Sequence, residues 1–166
     1  MRRLTIALGS VVLAGAAATI WACGSSTSPS SSNQVVYSVP LLGTNETSLS
    51  SQAEINAKGT AVITIHKDTN AIDFAVSMSN FPPGSSAILA HIHGPNAPAG
   101  VATGVYVSTG LAPGTAIQMP NGSGNFNLTM GSDADHVNAI LASPSTFYFN
   151  VHTPLNPGGA IRGQLQ

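Results

Sequence analysis

The chain of 166 residues has one cysteine, Cys23, so no disulfide can form within it. Charge is nearly as scarce, with Asp, Glu, Lys and Arg making up 7% of the residues and aromatics another 5%. From Cys23 onward the only cations are Lys58, Lys67 and Arg162, against six carboxylates, for a net charge of −3. So few cations leave no basic patch, which excludes nucleic acid as an expected partner. The low charge does not signal disorder, because 43% of the chain is hydrophobic and disordered segments carry more charge and less apolar bulk. There is no phosphate-cradling glycine loop and no serine nucleophile elbow.

What is present begins at the N-terminus. Arg2 and Arg3 precede an uncharged apolar stretch over residues 4–20, then small residues and Cys23. This is the layout of a secretory signal peptide, expected over residues 1–22. The Trp21-Ala22-Cys23 junction resembles a bacterial lipobox, although a small residue usually stands where Trp21 does. That resemblance implies cleavage before Cys23 and acylation of its thiol. Residues 23–34 are rich in serine and read as a flexible tether. The expected protein is exported and lipid-anchored to a bilayer at the cell envelope. Gly24 and Ser25 lack the aspartate that marks inner-membrane retention, which favours an outer membrane where one exists.

Residues 35–166 read as one β domain. Ile72, Phe74, Val76 and Met78 alternate with Asp73, Ala75, Ser77 and Ser79, and further strand-like runs recur around residues 35–42, 60–66, 88–93, 105–107, 125–130, 147–152 and 161–165. Lys67-Asp68-Thr69-Asn70 suits a hairpin turn. The one helical pattern covers residues 133–142, with Ser132 or Asp133 as cap, Val137, Ile140 and Leu141 as apolar stripe, and Pro144 as terminator. The expectation is an all-β fold: an antiparallel, Greek-key-like sandwich or barrel-like sandwich of about eight strands with one short helix.

The stretch Ala90-His91-Ile92-His93-Gly94 carries two of the five histidines. Residues i and i+2 of a strand share a face, about 6.5–7 Å apart, so both imidazoles can converge on one ion. His152, opposite its own strand's apolar face, is the candidate third ligand. Three imidazoles with an open position suit copper or zinc. Asn150, Thr153 and carbonyls of the loop over residues 94–100 are candidate hydrogen-bond partners for the outer ring nitrogens. No carboxylate stands near these histidines in sequence, so neither a fourth ligand nor a general base is visible. The alternative is structural: each histidine pins a neighbouring loop to its strand. His66 and His136 read as ordinary polar positions. Arg162 can receive an anion or tie strand ends together through backbone carbonyls.

The segment Ala90-His91-Ile92-His93-Gly94 resembles the AHIHxG signature of the CHRD family, named for the domain repeated in chordin. Tyr148-Phe149-Asn150-Val151-His152-Thr153, Asn156-Pro157-Gly158-Gly159 and Ile161-Arg162-Gly163-Gln164-Leu165 resemble that family's C-terminal signature, in the right order. Ala160 departs from it, since the family usually has glutamate there. The resemblance implies an extracellular β domain that acts as a non-enzymatic binding or structural module toward a protein or envelope ligand. The HxH strand is also similar to copper/zinc superoxide dismutase, which implies metal-dependent redox chemistry as a further alternative. The dismutase's disulfide cysteines, bridging histidine and zinc-site aspartate have no counterparts here.

Overall fold

A computed structural model describes residues 33–166. The expected leader, Cys23 and nearly all of the tether lie outside the described residues. The elements are β1 (Gln34–Leu42), β2 (Lys58–His66), β3 (Ala71–Ser79), β4 (Ser85–Ala87), β5 (Leu89–His93), β6 (Val105–Ser108), β7 (Ile117–Met119), β8 (Gly124–Gly131), α1 (Ala134–Ala142), β9 (Tyr148–His152) and β10 (Ile161–Gln164). Eight strands form one antiparallel sheet in the order β6-β5-β9-β10-β1-β2-β3-β8, while β4 and β7 pair separately. The large sheet curls until it nearly closes into a barrel. The eight sheet strands are the eight that period-two patterning predicts. β4 and β7 are three residues each, too short to show a period.

Alternation drives the curl. Val39, Leu41, Ile63, Ile65, Ile72, Phe74 and Val76 all turn inward and are buried. Phe74 on β3 stacks against Phe149 on β9, with ring centroids 5.8 Å apart, so opposite walls meet in the core. Burying each such side chain is worth about 1.5–3 kcal/mol. α1 adds Val137 and Ile140 to the same core, and the Asp133 carboxylate caps it by accepting from the His136 N–H at 2.7 Å. The β2–β3 hairpin turns through Asn70, which takes a positive φ of 56°, a conformation asparagine tolerates.

The sheet has a narrow seam. Only Leu42 and Arg162 are in register between β1 and β10. A Cβ at Gly163 would lie 2.2 Å from the Pro40 carbonyl oxygen, so β10 approaches β1 closely because residue 163 has no side chain. On one side of the seam, β1, β2, β3 and β8 keep an outer face in solvent. On the other, all five residues of β9 are buried, because loops lie over the outer face.

Candidate metal centre

Strand register sets the site. On β5 and β9, His93 stands opposite Tyr148, His91 opposite Asn150, and Leu89 opposite His152. Arg162 on β10 stands opposite Asn150 from the other side. His91, His93, Tyr148, Asn150, His152 and Arg162 therefore share the outer face of three adjacent strands. At His93 the β5–β6 pairing skips Tyr106, a bulge of the kind that re-aims side chains beside functional sites.

The three histidines are not on a wet face. His91, His93 and His152 are 9%, 7% and 6% exposed. One ring nitrogen from each lies within 4.8 Å of the other two. His91 Nδ1 and His152 Nε2 are 3.1 Å apart. Around a tetrahedral ion with bonds of about 2.0–2.1 Å, ligand nitrogens sit about 3.3–3.5 Å apart. One His–His separation is already that short, and all three ligand atoms lie within 4.8 Å of one another.

The opposite ring nitrogens are held by backbone. His93 Nδ1 donates to the Thr103 carbonyl at 2.9 Å, and His152 Nδ1 donates to the Pro157 carbonyl at 2.9 Å. These bonds place the proton on Nδ1 and leave both Nε2 lone pairs facing the cluster, the arrangement typical of metal-ligating histidines. His91 Nδ1 then donates to His152 Nε2. Burial is the first cause that lowers the pKa of all three imidazoles. For His91, burial and the neighbouring His152 and His93 push it down to about 4. The cluster is neutral at pH 7, which is the ligating form.

Two loops cover the cluster, and both are latched to the sheet. Arg162 Nη2 donates to the Val101 carbonyl at 2.7 Å and the Pro98 carbonyl at 3.4 Å, and its guanidinium lies 3.4 Å over the Tyr148 ring. His93 stacks on the same ring at 4.7 Å. Arg162 thus holds the loop after β5. The loop after β9 is held by a carboxylate that sequence reasoning missed. Glu54 is fully buried, accepting from Thr153 Oγ1 at 2.6 Å and Asn156 Nδ2 at 2.7 Å. Thr153 therefore serves Glu54 rather than a histidine ring.

Sequence analysis found no carboxylate near the site, yet the fold brings a second one to its rim. Asn150 Nδ2 donates to Glu46 Oε1 at 3.5 Å. Burial raises the Glu46 pKa to about 7 against the opposing pull of Arg162 and Asn150. Ala160, where the resemblance expects glutamate, is fully buried in the core, so the carboxylate near Arg162 comes from the turn after β1. No pattern around Glu46 or Glu54 announces either contact, which span more than ninety residues of sequence.

His91, His93, Tyr148, Asn150, His152 and Arg162, the residues of the two signatures, are thus one buried surface. The model of the CHRD domain matches residues 37–165. The chain belongs to the CHRD family. No curated protein and no solved structure matches the chain. The CHRD match reaches all eight strands of the large sheet, beginning within β1, and the two signatures meet across the β5–β9 pair. His66 and His136 lie apart from this surface. His66 Nε2 bonds Asp73 Oδ2 at 2.7 Å, and His136 Nδ1 lies 3.0 Å from Asp133 Oδ2. Among the described residues no helix is long and apolar enough to cross a membrane.

Proposed function

We propose that this CHRD domain is a non-enzymatic metal-binding module, exported and held at the cell envelope through Cys23. The convergence of three neutral, buried imidazole nitrogens within 4.8 Å carries the reading. A histidine that only pins a loop needs one hydrogen bond, and the loop carbonyls already supply that for His93 and His152. The inward Nε2 of His93 is then left over and that of His152 is met only by the His91 ring, and a divalent or cuprous ion is what such lone pairs accept. Export and acylation rest on the leader pattern and the Ser-rich tether. A protein or envelope ligand remains compatible with the same module.

The test is metal content. The purified full chain, loaded with Zn²⁺ or Cu⁺ and dialysed, should retain about one equivalent per chain. The double variant His93→Ala/His152→Ala should retain none. Retention by the double variant, or none in the parent, ends this reading. The redox alternative requires an ion that cycles between oxidation states beside an open position. Superoxide consumption by the loaded protein, absent from the double variant, would move the function to that class.

A further inference from the structure

The site contains a mismatch that three imidazoles alone do not resolve. Among the described residues, buried polar side-chain atoms without a hydrogen-bond partner number three: His93 Nε2, Asn150 Oδ1 and Thr103 Oγ1. Asn150 is 1% exposed and His93 7%. Their orientations are fixed from outside. The Asn150 amide nitrogen is turned to Glu46, so its oxygen is turned the other way, to the His93 side, where the two side chains are within hydrogen-bonding reach. His93 has given its one proton to the Thr103 carbonyl, so Nε2 carries only a lone pair. Two acceptors face each other in a buried space with no donor between them. Leaving even one such group unsatisfied is normally avoided in a folded protein. A positive ion between them removes the conflict for both.

We infer that Asn150 Oδ1 is the fourth protein ligand of the centre, so that His91, His93, His152 and Asn150 form an N3O set for a divalent ion of zinc type. This rests on the three-histidine reading and sharpens it. The amide oxygen is a hard, neutral donor. It adds to the binding of a borderline divalent ion such as Zn²⁺ and adds little to soft Cu⁺, which is content with the imidazoles. Asn150 therefore sets which metal the site prefers. Register supports the assignment, because Asn150 is directly across from His91 and two residues from His152 on the same face. Glu46 orients it by accepting the amide N–H, as outer partners of metal ligands do.

The measurement is competition titration of the full chain with Zn²⁺ and, under reductant, with Cu⁺, for the parent, Asn150→Ala and Asn150→Asp. The expected result is a loss of roughly 100-fold in Zn²⁺ affinity for Asn150→Ala. Cu⁺ affinity should stay within about threefold, since the amide oxygen is a poor partner for a soft ion. Asn150→Asp, which keeps an oxygen in the same place and adds charge, should bind Zn²⁺ at least as tightly as the parent. It guards against loss of the fold in the alanine variant. Equal losses for Zn²⁺ and Cu⁺ in Asn150→Ala, with Asn150→Asp no better, would overturn the assignment and make Asn150 a positioning residue. Unchanged Zn²⁺ affinity in Asn150→Ala would overturn it too, leaving the three histidines intact as a site. Absence of binding in the parent would instead remove the three-histidine reading, and this one with it.

Discussion

The two halves of the large sheet treat their outer faces differently. Across β1, β2, β3 and β8, buried and solvent-facing residues alternate along each strand. Across β5 and β9, both faces are buried apart from Leu89, which is half-buried. Each half carries histidine on its outer side, and the surroundings decide what the histidine does. In the wet half His66 bonds Asp73, and Thr129 Oγ1 donates to the same carboxylate at 2.7 Å. Those bonds lower the Asp73 pKa. In the dry half no carboxylate forms an ion pair with His91, His93 or His152 among the described residues, and burial keeps all three uncharged. Covering a face therefore turns a row of polar side chains into a neutral cluster that could hold an ion.

The comparison breaks most sharply at Glu54, which holds one of the covering loops. Glu54→Ala leaves the Thr153 hydroxyl buried without its acceptor and the Asn156 amide with only the Ser51 carbonyl, and should cost about 3 kcal/mol in urea unfolding. Metal affinity should fall with it, because the Pro157 carbonyl that orients His152 belongs to the same loop. Acid should act next on the dry half. His91 is pushed down to about 4 in the fold, from an ordinary value of 6.5. Above pH 6.5 it is neutral whether folded or not and contributes nothing to pH dependence. Below 6.5 the unfolded chain takes up a proton that the folded one refuses, so metal-free stability falls between pH 6.5 and about 4, by about 2–3 kcal/mol. Chemical denaturation at pH 7.5, 5.5 and 4.5 reads this directly, and the slope should shrink in His91→Gln.

Glu46 works in the opposite sense. Its folded pKa of about 7 lies above its ordinary value of 4.5, so stability is lost as pH rises from 4.5 through 7. Glu46→Gln should raise stability at pH 8 by about 1–2 kcal/mol, with little change at pH 4.5. A variant that is equally stable at both would remove the buried-carboxylate account. The smallest effect belongs to the wet half: Asp73→Asn should cost less than about 1 kcal/mol and the cost should shrink further in 0.5 M salt, as for exposed ion pairs generally.

The wet half was legible in the sequence and the dry half only partly so. Period-two alternation places β2, β3 and β8 correctly because one of their faces does meet water. The same alternation puts His91 and His93 on one face of β5 and His152 on the corresponding face of β9, which is right, but it does not tell whether that face meets water or a covering loop. Polarity in a strand marks the side away from the apolar core, not the side that touches solvent. What covers that side is set by loops from distant sequence, and Glu46, Glu54 and Thr103 carry no local pattern that announces it. The signatures of the family point to the right surface, with Thr153 and Asn156 turned to the loop anchor and not to the ligands.

The strand order also fixes when the histidine cluster can exist. β9 and β10 lie in the middle of the sheet, between β5 and β1, although they are its last strands in sequence. A nascent chain that has delivered only β1 to β8 lacks the bridge between its two halves as well as His152 and Asn150. It can hold β1, β2 and β3 together as a meander, but β5 has no partner on its β9 side. Closing the β5–β9 pair and bringing His152 and Asn150 to His91 and His93 are thus one and the same event, and it waits for the last strands of the chain.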